Sequence, residues 1–300
     1  MTQVAVVDLG TNAMRLAIGS GVAGRYEIVT YIRYPNRLSE GMFSDGMLKR
    51  PAVQRTIEAL KDIRSTVDSY KPDRMRLIST SVLRSAKNAR DFLDLVKKEA
   101  GLDIEIISGG EEARLIHTGA VRGIDIGDKK AFVVDIGGGS TELSVGGMED
   151  IELAASIESG AVRLKERFIR HDPPAAGDLE DINASIAADF GDVLKKVVLL
   201  GPQILVGVPG NVGTIYNAIK PENGLTVDAL REFFNKLSVL SVREIKLTTG
   251  IEIDKADILL PGLMILMKIM EATGMSDCSV SPRGLLHGII IRLLSDVSPS

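Results

Sequence analysis

One twelve-residue pattern occurs twice, and it limits the possible folds more than any other feature. "DLGTNAMRLAIG" (8–19) lies over "DIGGGSTELSVG" (135–146) without a gap, matching Asp8 with Asp135, Gly10 with Gly137, Leu16 with Leu143 and Gly19 with Gly146. Each copy opens at the end of an apolar run, "VAVV" or "AFVV". The pair therefore reads as one strand-turn-strand unit used twice, about one domain apart. Short hairpins also resemble one another by chance, and twelve residues alone leave that reading open. The second copy carries three consecutive glycines, which lose much chain entropy on folding and give no side chain to a core. What they offer is backbone N–H groups that can approach a ligand closely.

The rest of the chain supports duplication. After the first hairpin come a strand at Tyr26–Tyr31 and a helix from Pro51 with Val53, Ile57, Leu60 and Val67 on one face. A strand at 75–80, a helix from Ala89 capped by Asn88 and stopped by Gly101, and a strand at 103–108 follow. The second half repeats the order: hairpin, strand "IELAAS", helices to about Leu199, strand "ILVGV", further helices, a short strand "CSVS" and a helix from Arg283. Strands alternating with helices indicate α/β sheets. We expect two related domains, 1–124 and 125–300, with the last helix free to pack back on the first. A ligand-binding cleft is expected between them.

Composition excludes several functions. A net charge of -4 gives no general attraction to nucleic acid or an anionic membrane, so a bound anion needs a local site. The single cysteine, Cys278, rules out an internal disulfide and a CxxC zinc site and fits a reducing, cytoplasmic setting. The N-terminus lacks the basic and apolar regions of a signal peptide. "ILLPGLMILMKIM" (258–270), interrupted by Pro261 and Lys268, is too short for a bilayer and reads as a buried helix. The histidines stand at 117, 171 and 287 without metal-ligand spacing, so "HD" at His171 and Asp172 reads as structural. Neither GxxxxGK[ST] nor GxSxG occurs.

"DLGTNAMRL", "SGGEEARL", "VVDIGGGSTEL", "GAVRLKERF" and "LPGLMIL" occur in the order and spacing of the exopolyphosphatase and guanosine pentaphosphate phosphohydrolase family, which the chain resembles over nearly its whole length. The resemblance implies an α/β fold of duplicated ribonuclease-H-like domains, as in the actin-like ATPase superfamily. It also implies a phosphoanhydride hydrolase acting on inorganic polyphosphate or guanosine pentaphosphate, with neither nucleic acid nor membrane as partner. A homodimer is a further option, and a non-hydrolytic polyphosphate or nucleotide sensor on the same scaffold is the reading from another class.

Phosphoryl transfer needs a cradle for phosphate oxygens, a cation to spread charge and a group to orient the attacking water. Gly138, Gly139, Ser140 and Thr141 suit the cradle, while Asp135 and Glu142 suit a magnesium or other divalent ion. In the first copy, where Arg15 stands opposite Glu142, Asp8 is assigned a metal or water contact, and Thr11 and Asn12 a phosphate contact. Glu111 and Glu112 at a helix start answer the helix dipole on residue chemistry alone. The resemblance instead makes Glu112 the general base, and it makes Arg84 a phosphoryl contact. The third phosphate-facing loop, "GVPGNVGT", supplies Gly210 and Asn211 but carries Pro209 at a usual glycine, which removes an amide donor. Arg163 and Lys165 read either as a polyanion track or, preferably, as the solvated face of a helix burying Val162, Leu164 and Phe168.

Overall fold

The computed structural model describes residues 1–22, 24–222 and 224–296. The chain forms two compact units, one of residues 1–108 with 285–300 and the other of residues 109–284. The first contains β1 (Thr2–Leu9), β2 (Met14–Val22), β3 (Arg25–Tyr34), α1 (Arg50–Tyr70), β4 (Arg74–Ser79), α2 (Ser81–Ser85), α3 (Ala89–Ala100) and β5 (Glu105–Ile106). In the second, α4 (Gly109–Val121) is followed by β6 (Ala131–Ile136), β7 (Thr141–Gly146), β8 (Ile151–Ile157), α5 (Ala161–Phe168), α6 (Ala176–Leu200) and β9 (Ile204–Gly207). Then come α7 (Asn211–Ile219), β10 (Leu225–Thr226), α8 (Val227–Leu237), α9 (Val242–Thr249), α10 (Ile253–Ala256), α11 (Leu259–Thr273) and β11 (Asp277–Val280). The last helix, α12 (Leu285–Ser295), belongs to the first unit.

Among the described residues the first sheet runs β3-β2-β1-β4-β5 and the second β10-β11-β9-β6-β7-β8. In each, the first three strands form an antiparallel meander and the next joins the hairpin's first strand in parallel, β4 on β1 and β9 on β6. The two sheets thus share one strand order, so the duplication read in the sequence is present in the fold. Successive side chains of a strand point to opposite faces. Ala5, Val7, Leu9, Leu16 and Ile18 accordingly join Ile57, Leu60 and Ile63 of α1 in one core. The alternate positions Val4, Val6 and Ala17 are buried on the other face, where α12 packs on β1 and β2. There Gly19 admits Ile290, whose Cγ2 lies 3.0 Å from where a Cβ would stand. The second core joins Phe132, Val134, Ile136, Leu143 and Val145 to Phe190 and Leu194 of α6 and Leu263 and Leu266 of α11. Residues 258–270 thus lie almost wholly within that buried helix, and no helix among the described residues is long and apolar enough to cross a membrane.

Several local expectations change. The units divide after Ser108 and not after residue 124, because α4 packs on β6, β7 and β8. The strand expected at 103–108 shrinks to Glu105–Ile106, the part that pairs with β4. Asn88 precedes α3 but makes no side-chain cap. Its amide instead bridges Leu48, accepting from the N–H at 2.9 Å and donating to the carbonyl at 3.2 Å. The last helix begins at Leu285, two residues later than Arg283.

Candidate functional site

The two hairpin turns close alike. Gly10 N–H donates to the Ala13 carbonyl at 3.2 Å and Gly137 N–H to the Ser140 carbonyl at 2.9 Å. A Cβ at either glycine would stand 2.9 Å from that same carbonyl oxygen, so both positions need glycine for close approach rather than for an unusual φ. Asp8 pairs across the strands with Arg15, and Asp135 with Glu142. The motif's duplication in sequence is a duplication in space.

In the second unit the glycine carbonyls face α5. Ala161 N–H donates to the Gly137 carbonyl at 3.0 Å, while Val162 and Arg163 N–H donate to that of Gly138 at 2.8 and 3.0 Å. In a planar trans peptide the N–H points opposite to the C=O. With these carbonyls turned to the helix start, the N–H groups of Gly138 and Gly139 face the other side of the turn. Two successive amides directed this way suit an anion. Glu142, 3% exposed, accepts hydrogen bonds on Oε1 from Ser140 Oγ and Ser156 Oγ, both 2.7 Å. Thr141 Oγ1 donates to the Ser159 carbonyl at 2.7 Å, so this hydroxyl braces β7 to the segment after β8.

The loop after β9 reaches the same turn. Gly210 has φ 129°, and a Cβ there would lie 3.6 Å from Asp135 Oδ1. Asn211 Nδ2 donates to the Ile136 carbonyl at 2.6 Å and Thr214 Oγ1 to the Gly210 carbonyl at 2.8 Å. Asn211 thus spends an amide hydrogen holding this loop to the end of β6. Glu112, 5% exposed, and the half-buried Glu111 occupy the first turn of α4. That turn sits hard on β8, since a Cβ on Gly109 would be 2.3 Å from Ser156 Cβ. Further along α4, His117 Nδ1 lies 2.9 Å from Ser144 Oγ and Nε2 2.9 Å from the Gly147 carbonyl. Burial pushes the imidazole below its ordinary pKa. A neutral ring fits both contacts, Nε2–H donating to the carbonyl and Nδ1 accepting from the hydroxyl.

The first unit holds Asp8, Thr11, Asn12 and Arg84. Asp8, 2% exposed, accepts on Oδ2 from Arg15 Nη1 at 3.0 Å, and its Oδ1 is buried without a protein hydrogen bond. Burial raises the Asp8 pKa, and the Arg15 guanidinium works against that rise. The turn's carbonyls are again occupied, Thr11 accepting from Ser39 N–H at 3.3 Å and Asn12 from Arg37 N–H at 3.1 Å. Arg84 lies on α2, where Nη1 donates to the Ile107 carbonyl at 3.2 Å.

Among the described residues no three His, Cys, Asp or Glu side chains form a metal-binding group. A closed protein cage is therefore absent from this set. Magnesium is usually held by one or two carboxylates, waters and substrate phosphate. The facing Asp135 and Glu142 supply hard oxygen donors of that kind beside the amide turn.

One residue, Ser156, and one role, that of Arg163, escaped the sequence reading. Ser156 is the register partner of Glu142, which the meander would have revealed once folded on paper. Arg163, expected on a solvated helix face, instead has its side chain only 15% exposed. Its Nε donates to the Gly139 carbonyl at 2.7 Å, and Nη2 pairs with Glu158. Lys165 reaches Asp257 at 3.6 Å. His171 and Asp172 serve the framework, His171 Nδ1 meeting Asp178 Oδ2 at 2.9 Å and Asp172 Oδ1 accepting from Val242 N–H at 2.8 Å.

Solved structures with this fold include an exopolyphosphatase from Cytophaga hutchinsonii, 24% identical with 99% of each chain covered and a TM-score of 0.91. An exopolyphosphatase-like protein is 25% identical over 99% of this chain and 100% of its own, with a TM-score of 0.89. The Aquifex aeolicus member of the Ppx/GppA family is 27% identical over 100% of this chain and 99% of its own, with a TM-score of 0.81. The model of the Ppx/GppA phosphatase family matches residues 17–297, and the chain belongs to that family.

Proposed function

We propose that this protein is an exopolyphosphatase that removes the terminal phosphate of inorganic polyphosphate by in-line attack of water. The observation that carries the reading is the second hairpin turn: its glycine carbonyls are engaged by α5, its amides face the opposite side, and paired carboxylates flank it. Membership in a phosphatase family supports the reading, as does similarity to an exopolyphosphatase-like protein.

In this mechanism the N–H groups of Gly138 and Gly139 receive phosphate oxygens, while the Ser140 hydroxyl, its one hydrogen given to Glu142, borders the cradle as an orienting group. Gly210, whose φ of 129° favours glycine, turns the third loop beside Asp135 and toward the same phosphate. Asp135 and Glu142 would hold magnesium, which when bound spreads the charge of the phosphate oxygens. Ser140 and Ser156 keep Glu142 oriented for that task. Glu112 accepts the proton of the attacking water, for which it must come within hydrogen-bond reach. Asp8 orients water or the cation's hydration shell, Thr11 and Asn12 contact phosphate, and Arg84 offsets substrate charge.

The test is phosphate release from polyphosphate of defined length with magnesium, comparing the wild type with Glu112→Gln and running guanosine pentaphosphate and ATP alongside. The expected result is metal-dependent release from polyphosphate that falls at least ~100-fold in the variant, the usual worth of a general base. Preferred release from guanosine pentaphosphate would move the substrate within the family. Binding of polyphosphate with no release from any substrate would replace the hydrolase by a sensor.

A further inference from the structure

Each peptide plane of the glycine turn has its own restraint. The Gly137–Gly138 plane is held by Ala161 N–H, and the Gly138–Gly139 plane by Val162 and Arg163 N–H. The third plane, Gly139–Ser140, is gripped through its carbonyl by the Arg163 side chain. Glycine has little intrinsic preference among backbone conformations, so without such a grip this plane can rotate at low cost. Its N–H is that of Ser140, whose hydroxyl donates to Glu142. The guanidinium thus holds the peptide that carries the Ser140 amide, in the residue whose hydroxyl orients a carboxylate.

We propose that Arg163 is a positioning residue for the phosphate cradle: by fixing the Gly139–Ser140 peptide it aims the Ser140 amide at the bound phosphate, without touching substrate itself. The inference rests on the turn being the phosphate cradle. Glu158 pairs with the guanidinium and limits its swing, so the positive charge is locally answered rather than offered to a polyanion. The first unit has the same device in simpler form, its turn carbonyls being taken by the backbone N–H groups of Ser39 and Arg37. The side-chain version belongs to the copy with three glycines, the one with the most backbone freedom to remove.

The test uses the full chain as wild type, Arg163→Met, Arg163→Lys and Arg167→Met. Arg167 is the control because it is exposed on the same helix, over the Phe168 ring. Amide shifts of Gly138, Gly139 and Ser140 are followed by NMR while inorganic tripolyphosphate is titrated with magnesium, and phosphate release is measured in parallel. In Arg163→Met the Ser140 response should be lost and apparent affinity should fall about 10-fold, the scale of one hydrogen bond to a charged group. kcat should fall about 100-fold, as when an oxyanion donor is removed. Arg163→Lys, which keeps a single donor, should recover part of both, and Arg167→Met should match the wild type.

A Ser140 response and kcat unchanged in Arg163→Met overturn the proposal, as does an equal loss in Arg167→Met. If Arg163→Met does not fold, Arg163→Lys decides alone, and wild-type behaviour in it overturns the proposal. Wild-type amides that ignore tripolyphosphate defeat the cradle itself and the proposal with it. Amides that respond without phosphate release defeat only the hydrolase reading and leave the Arg163 comparison decisive.

Discussion

Gly160→Ala separates the close approach at the cradle from every other glycine effect. Gly160 precedes α5 with φ -127° and ψ 170°, extended backbone that alanine adopts freely. On chain entropy alone the substitution should stabilise by roughly 0.4–1 kcal/mol. Its Cβ, however, would stand 2.6 Å from both the Gly138 carbonyl oxygen and the Ser140 nitrogen, and 2.7 Å from the Gly138 carbonyl carbon. That is roughly 1 Å inside ordinary contact. All three are backbone atoms of the glycine turn, so no side chain can swing aside. Overpacking of this kind costs about 1–3 kcal/mol, leaving a net destabilisation between about 0 and 2.6 kcal/mol after the entropic gain. Relief must come from α5 and the turn moving apart, and a 1 Å misplacement of a catalytic arrangement costs about 100-fold in rate. Thermal unfolding should thus show a modest loss while phosphate release falls about 100-fold. A variant that keeps wild-type kcat, at any stability, refutes the idea that the turn must sit against α5 to work.

Two further predictions concern buried groups. Below about pH 6.5 an unfolded histidine takes up a proton, whereas burial keeps the folded His117 pKa lower. The unfolded state then binds more protons, so this contribution to stability is full above pH 6.5. It is lost as pH falls below 6.5, by up to about 1.4 kcal/mol per unit, until the folded ring titrates. Denaturant unfolding at pH 7 and pH 5.5 should show a smaller drop for His117→Gln than for the wild type, and equal drops would refute the assignment. Cys278 is fully buried and its thiol is pushed up to about 12, chiefly by burial. A thiol reagent at pH 8 should leave the folded protein unmodified and label one thiol after unfolding, so rapid labelling of the folded protein would contradict the packing around β11.

The features legible in sequence were those encoded over a few neighbouring residues. The hairpins could be read because a strand, a glycine turn and a second strand are contiguous, and the repeat registered one upon the other. Membership of α4 could not be read that way. Leu115, Ile116 and Ala120 say that the helix packs, but only the sheet says on what. Arg163 was hidden for a related reason: helical period assigns a residue to a face, and its guanidinium reaches past that face to a carbonyl at Gly139. The segment at 103–108 has alternation enough for a longer strand, yet β4 offers pairing only to Glu105 and Ile106. Asn88 has the chemistry of a cap and uses it on another segment.

The return of α12 to the first unit has a consequence for how the protein is made. The second unit is one uninterrupted stretch, whereas the first is completed by residues from the far side of it. During synthesis the β1–β2 hairpin leaves the ribosome early, with Val4, Val6 and Ala17 still lacking the helix that covers their face. Residues 109–284 have emerged by the time α12 can dock. The first unit's sheet is therefore translated before the second unit and finished after it, and its uncovered face is the one that chaperones would meet on the nascent chain.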